Sequence, residues 1–83
     1  MAKGIAFTDQ AKADIRALPQ PIAMQVLRMI ARFLESEKGD VKRLQGIEPP
    51  EFRLRLGDYR VRFHDLGDAV EILRVRHRKD AYR

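Results

Sequence analysis

Between residues 52 and 63 the chain reads FRLRLGDYRVRF, and its apolar positions fall on every second residue. Phe52, Leu54 and Leu56 precede a Gly57-Asp58 pair; Tyr59, Val61 and Phe63 follow it. A period of two is the mark of a half-buried strand, and Gly-Asp between two such runs predicts a two-residue hairpin loop. That loop fixes the register: Leu56 faces Tyr59, Arg55 faces Arg60, Leu54 faces Val61 and Arg53 faces Arg62. Four guanidiniums then share one face of the hairpin and the apolar side chains fill the other. Like charges directly opposite destabilise a ladder, so the arrangement suggests an anionic ligand on that face.

The N-terminal half has a different period. Residues 3–7 predict a short first strand. Thr8 predicts a helix N-cap with Asp9 in the first turn. Ala11, Ile15 and Leu18 recur at i, i+4 and i+7, and Pro19 ends that helix. Gln20-Pro21 restarts one, proline being suited to the first helical position. Ile22, Val26, Met29, Ile30, Phe33 and Leu34 then form a broad apolar stripe, with Gly39 as the C-terminal stop. The two helices form an antiparallel hairpin with a core-facing stripe.

Residues 40–51, DVKRLQGIEPPE, predict a loop with one short extended piece at 41–44, and Pro49-Pro50 cannot donate to a ladder. After the arginine-rich hairpin, AVEILRVRHR predicts a third strand. An odd-length loop after His64, three residues with Gly67 at positive φ, would aim Leu73, Val75 and His77 at the helices. Arg74, Arg76 and Arg78 would then join the basic face. An even loop would bury Arg74 and Arg76, which is far costlier. The predicted fold is α+β with element order βααβββ: a two-helix hairpin on one face of a small, mostly antiparallel sheet. The 83 residues fit one domain, 1–83.

Composition sharpens the reading of the exposed face. The formal net charge is +5, and of the 17 basic residues twelve are arginine. Eight of those twelve lie after residue 52, and arginine is suited to bidentate phosphate contacts. With no cysteine there is neither a disulfide nor a thiolate metal site. No apolar stretch approaches the roughly 20 residues of a membrane span, and the first ten residues lack a signal-peptide core. These features predict a cytoplasmic protein with no membrane partner and no cofactor.

The chemistry available is narrow. There is no glycine-rich phosphate loop and no metal-ligand spacing. Ser36 is the only serine, and the Asp and Glu residues are scattered among turns and helix ends, so the pattern argues against a nucleophilic triad or a metal hydrolase. Arginines remain, with His77 and Tyr82 near the C-terminus. RNA carries its own nucleophile, the 2′-hydroxyl. An enzyme cleaving it needs charge stabilisers, a proton acceptor and a proton donor, but no metal. A tyrosine among guanidiniums has its phenolate favoured and could accept the 2′-OH proton. Each residue also has a plainer reading. Arg53 and Arg62 could hold backbone phosphates alone, His77 could be a hydrogen-bonded half-buried residue, His64 an exposed turn residue, Tyr59 a plug on the core face and Tyr82 an anchor.

FRLRLGDYRVRF followed by ILRVRHRKDAYR, with VKRLQG before them, resembles the RelE branch of the RelE/ParE toxin superfamily of bacterial toxin–antitoxin systems. The resemblance extends over nearly the whole chain. It implies a type II toxin that cleaves mRNA in the ribosomal A site by metal-independent 2′-OH transphosphorylation. By motif, the implied catalytic set is Arg55, Arg60, Arg78 and Tyr82. Arg53 matches a further basic position of the first hairpin strand. With Arg62, Arg74 and Arg76 it would bind RNA phosphates. Two departures stand out: the first hairpin strand has arginines where the best-known pattern has lysines, and a C-terminal helix carried by some members is missing. The implied partners are a cognate antitoxin, the ribosome and mRNA, with operator DNA met only through the antitoxin. The antitoxin would lay a helix along the helical hairpin or across the basic face. Two other readings stay open: a ParE-like toxin that inhibits DNA gyrase without catalysis, and a non-catalytic RNA-binding module.

Overall fold

The computed structural model describes residues 4–36, 39–44, 46 and 50–81. Strand β1 (Gly4–Phe7) leads into helices α1 (Asp9–Arg16) and α2 (Gln20–Ser36). Strands β2 (Asp40–Leu44), β3 (Glu51–Leu56), β4 (Tyr59–Asp65) and β5 (Ala69–His77) follow, and a single turn, α3 (Arg78–Ala81), comes last. The five strands form one sheet in the order β1-β5-β4-β3-β2. Only the β1–β5 pair is parallel. Two helices on a mostly antiparallel sheet match the predicted α+β class. The short piece expected at 41–44 is a full edge strand, residue-for-residue antiparallel to β3 from Asp40↔Arg55 to Leu44↔Glu51. Of the predicted connection before β3, Pro49 lies outside the described residues, as does Lys3 at the predicted start of β1.

The apolar periodicities meet in one core. Val26, Ile30 and Leu34 of α2 are buried at i, i+4 and i+8. They join Leu54, Val61, Phe63, Val70, Ile72 and Val75 from the sheet and Ala11 from α1. Phe63 stacks on Phe52 at 5.4 Å and meets Phe33 at 5.9 Å between centroids. Gly39 is needed for close approach rather than for backbone freedom. A Cβ there would lie 3.0 Å from Phe33 Cδ1 and 3.2 Å from Leu54 Cδ1.

The hairpin register is as the alternation predicts: Leu56↔Tyr59, Arg55↔Arg60, Leu54↔Val61 and Arg53↔Arg62. Gly57 takes φ +60° at its turn. The second connection differs from expectation. Gly67 does have positive φ, +93°, but pairing persists almost to the turn. Asp65 faces Val70 and Leu66 N–H donates to Ala69 O at 2.9 Å, so the reversal itself is the even, two-residue kind. A β-bulge corrects the phase. Phe63 pairs with Ile72 and Arg62 with Arg74, leaving Leu73 as the extra residue. An extra residue in one strand exchanges its two faces. Val70 and Ile72 enter the core before the bulge and Val75 after it, while Arg74 and Arg76 stay opposite Arg62 and Arg60.

Helix α1 holds the bulge. β1 pairs with β5 only as far as Phe7↔Ile72. Beyond that point Thr8 N–H donates to Ile72 O at 3.0 Å and its hydroxyl donates to Leu73 O at 3.1 Å. The same hydroxyl accepts Ala11 N–H at 3.0 Å, which is the predicted N-cap. One turn later Asp14 accepts the N–H of Val75 at 3.0 Å. The first helix thus continues the edge of the sheet that the first strand leaves off.

Candidate functional site

Opposite residues on paired strands point the same way, so the registers lay the exposed face out in three rows across the sheet. Asp40, Arg55, Arg60 and Arg76 form the row nearest the β3–β4 turn. Lys42, Arg53, Arg62 and Arg74 form the middle row. Leu44, Glu51, His64 and Glu71 form the third. The structure therefore brings together Arg53, Arg55, Arg60, Arg62, Arg74 and Arg76 on one face, as the alternation predicts. Arg78 does not extend the strand. It opens α3, with its N–H donating to Asp58 O at 2.7 Å across the hairpin tip.

The guanidiniums are not equivalent. Arg62 Nε donates to Glu51 Oε2 at 2.6 Å, and the same carboxylate oxygen also holds its Nη2. Arg74 Nε donates to Asp14 Oδ2 at 2.9 Å, turning over the sheet edge onto α1. Burial raises the Asp14 pKa. Hydrogen bonds from Arg74, Val75 N–H and Gln10 outweigh that, and the net value lies below the ordinary 3.8. Arg62 and Arg74 are thus neutralised inside the chain. The sequence reading placed them among free phosphate contacts and missed both carboxylates.

The third row also corrects the sequence reading. Glu51 is only 5% exposed. Its second oxygen lies 3.7 Å from His64 Nε2, and Glu71 Oε1 lies 3.5 Å from His64 Nδ1. His64 is a strand residue held between two carboxylates, not an exposed turn residue. Glu51 shares the parity of Arg53 and Arg55, which was the available signal. His77 is half-buried on the core side. It meets Tyr59 edge-on at 5.2 Å between centroids, and its Nδ1 accepts Lys79 N–H at 3.2 Å.

Cationic character concentrates at the turn end of the face. Arg55, Arg60, Arg78 and Lys79 line a depression of about 300 Å³. A second depression, of about 120 Å³, is lined by Asp40, Lys42, Arg53, Arg55 and Arg60. Arg78 lies 3.9 Å from Asp58 Oδ1 and both side chains are more than half exposed, so this contact restrains Arg78 weakly. Such a cradle can hold phosphate oxygens and offset charge that grows on them. Tyr82, the predicted proton acceptor, lies outside the described residues.

Comparison with known proteins adds a lineage to this geometry. Residues 5–82 match the family described as ParE toxin of type II toxin-antitoxin system, parDE. No protein with curated annotation matches. Among solved structures, the RelB–RelE antitoxin–toxin complex of Methanococcus jannaschii contains a chain similar at TM-score 0.73 and 27% identity. That similarity covers 93% of this chain and 94% of the other. The archaeal RelE–RelB complex of Pyrococcus horikoshii OT3 gives 0.71 and 26%, over 94% and 97%. The RelBE2 toxin–antitoxin complex of Mycobacterium tuberculosis gives 0.73 and 27%, over 93% and 99%.

Proposed function

The chain belongs to the ParE toxin family of type II toxin–antitoxin systems, in the RelE branch of the RelE/ParE superfamily, and on that basis we propose that it is an endoribonuclease that cleaves mRNA on the ribosome. The observation that carries the proposal is the cationic cradle of Arg55, Arg60, Arg78 and Lys79 at the turn end of the sheet. In the reaction the RNA 2′-oxygen attacks the adjacent phosphorus. The P–O2′ bond forms, the P–O5′ bond breaks, and the products are a 2′,3′-cyclic phosphate and a 5′-hydroxyl. One proton leaves the 2′-oxygen and one arrives at the 5′-oxygen, so no metal or co-reactant enters the balance. Arg60 and Arg78 hold the non-bridging oxygens as charge builds, and Arg55 supports them. Tyr82, four residues after Arg78, takes the 2′-OH proton.

The partner is a cognate antitoxin, in keeping with the three complexes similar to this chain. Contact with the cradle calls for acidic side chains, and contact with the helices for apolar ones. No described helix is long and apolar enough to cross a membrane. Primer extension on a translated message tests the activity. New stops that need both the protein and translation are expected, and Tyr82→Phe should reduce single-turnover cleavage by about 10²–10⁴-fold. The match to the ParE family favours one other reading, inhibition of DNA gyrase without cleavage. Loss of supercoiling activity with no RNA stops would select it.

A further inference from the structure

We infer that the depression between β2 and β3 is a second phosphate subsite, in which Lys42 and Arg53 hold a non-reacting phosphate of the same RNA strand. The inference rests on the ribonuclease reading for the identity of the neighbouring, reacting phosphate. It rests on the geometry of this face for everything else.

Three observations carry it. First, the two depressions adjoin the same side chains: Arg55 and Arg60 line both. Second, the row of Arg53 lies two strand residues from the row of Arg55, about 6.7 Å along the sheet. That is the scale of one nucleotide of extended backbone. Third, the middle row is neutralised selectively. Arg62 is bound by Glu51 and Arg74 by Asp14. Arg53 and Lys42, opposite each other on β3 and β2, have no carboxylate partner among the described residues. The cationic charge of that row is therefore gathered on the β2 side.

Asp40 confines the ligand. Its register position is beside Arg55, at the outer end of the first row, and it lines the same depression. A carboxylate there repels a phosphate from the rim and leaves the space between Lys42 and Arg53 as the favourable one. The strand then crosses the face obliquely, from Arg78 and Lys79 through Arg55 and Arg60 to Lys42. Lys42 is exposed on an edge strand, so its replacement touches neither the core nor the reacting end.

The test compares two RNA probes on the full-length chain by NMR titration. One is a dinucleoside monophosphate. The other is a trinucleoside diphosphate, with one phosphate more. Both carry 2′-deoxy sugars at the cleavable linkages. The extra phosphate should bind more tightly and steepen the logarithmic salt dependence by about 0.7, the value for one neutralised phosphate on a single strand. Lys42→Ala should bring the two probes to the same slope, and Lys42→Arg should restore the difference. Lys79→Ala should weaken both probes while keeping the difference between them. A difference that survives Lys42→Ala, or one that is absent from the wild type, overturns the subsite. Absent cleavage on ribosomes with the Lys42-dependent difference intact would reject the ribonuclease reading and leave the subsite standing.

Discussion

The two ends of the exposed sheet face carry different charge: arginines dominate the row nearest the β3–β4 turn, and Glu51, His64 and Glu71 fill the far row with Leu44. At the end near the β3–β4 turn, Arg55, Arg60 and Arg76 stand directly opposite one another on adjacent strands, about 4.8 Å apart at the backbone. At the other end Glu51 is buried, grips Arg62 and faces His64. One end sets three arginines side by side with Asp40 as the row's carboxylate, a net cationic arrangement that favours an anion. The other end is internally matched. Between them, the middle row gives Arg62 to the matched end and Arg74 to Asp14 on the flanking helix. The number of arginines on a face therefore overstates its binding charge. Which carboxylates the fold brings within reach decides where a phosphate can sit.

The sharpest way to break this contrast is to remove one arginine from each end. Arg55→Ala should lower single-turnover cleavage on programmed ribosomes by about 10²–10³-fold, the usual effect of losing one charge stabiliser. Its melting temperature should stay close to wild type, because Arg55 stands between Asp40 and Arg60 and loses one attraction and one repulsion together. Arg62→Ala should leave cleavage close to wild type and lower the melting temperature, since Glu51 would remain buried and half-satisfied. Equal losses of cleavage in the two variants would erase the distinction between the ends.

Next in size is the matched end itself. Glu51→Gln should cost about 1–3 kcal/mol of stability in denaturant unfolding, the range for an incompletely satisfied buried group. It should also release Arg62 and steepen the salt dependence of RNA binding. A stable variant with unchanged salt dependence would show that Glu51 neither anchors nor masks Arg62.

The smallest effect concerns Asp14. Its pKa is lower in the folded chain than the ordinary 3.8, because the bonds from Arg74, Val75 and Gln10 outweigh burial. A depressed value contributes stability that is full above the unfolded pKa and is lost as pH falls through the folded one. Thermal melts taken downward from about pH 5 should therefore fall more steeply for wild type than for Asp14→Asn. At pH 7 the variant should be less stable by about 1 kcal/mol. Parallel curves would mean that the Arg74 pair forms without energetic consequence.

Sequence reading reached some of these features and not others, for physical reasons. The β3–β4 register follows from a strict period of two around a Gly-Asp turn, and one buried face leaves no alternative. The bulge was also written in the chain, as a phase slip: Val70 and Ile72 are even-numbered core residues, Val75 an odd-numbered one. That slip has the same parity effect as an odd loop, so the energetic argument against burying Arg74 and Arg76 held while the device differed. The edge strand β2 was half-read because its residues are largely exposed and an exposed strand has little apolar pattern. Asp14 pairs with a residue 60 positions away, and no local pattern reports such a contact. Glu51 was passed over because a carboxylate beside a proline reads as a loop residue. Only the assembled sheet sets it under Arg62.

The parallel pairing of β1 with β5 bears on when this protein can act during its own synthesis. Gly4–Phe7 finds its ladder partners only in residues 69–72, so the first strand made must wait for the last. Helix α1 likewise seats its cap and Asp14 on Leu73, Arg74 and Val75. While those residues remain inside the ribosomal exit tunnel, β4 lacks its partner on one edge and the arginines of β5 are missing from the face. Long-range closure of this kind is slow relative to local helix formation. The order in which the strands are made therefore delays assembly of the full basic face until β5 is available to close it.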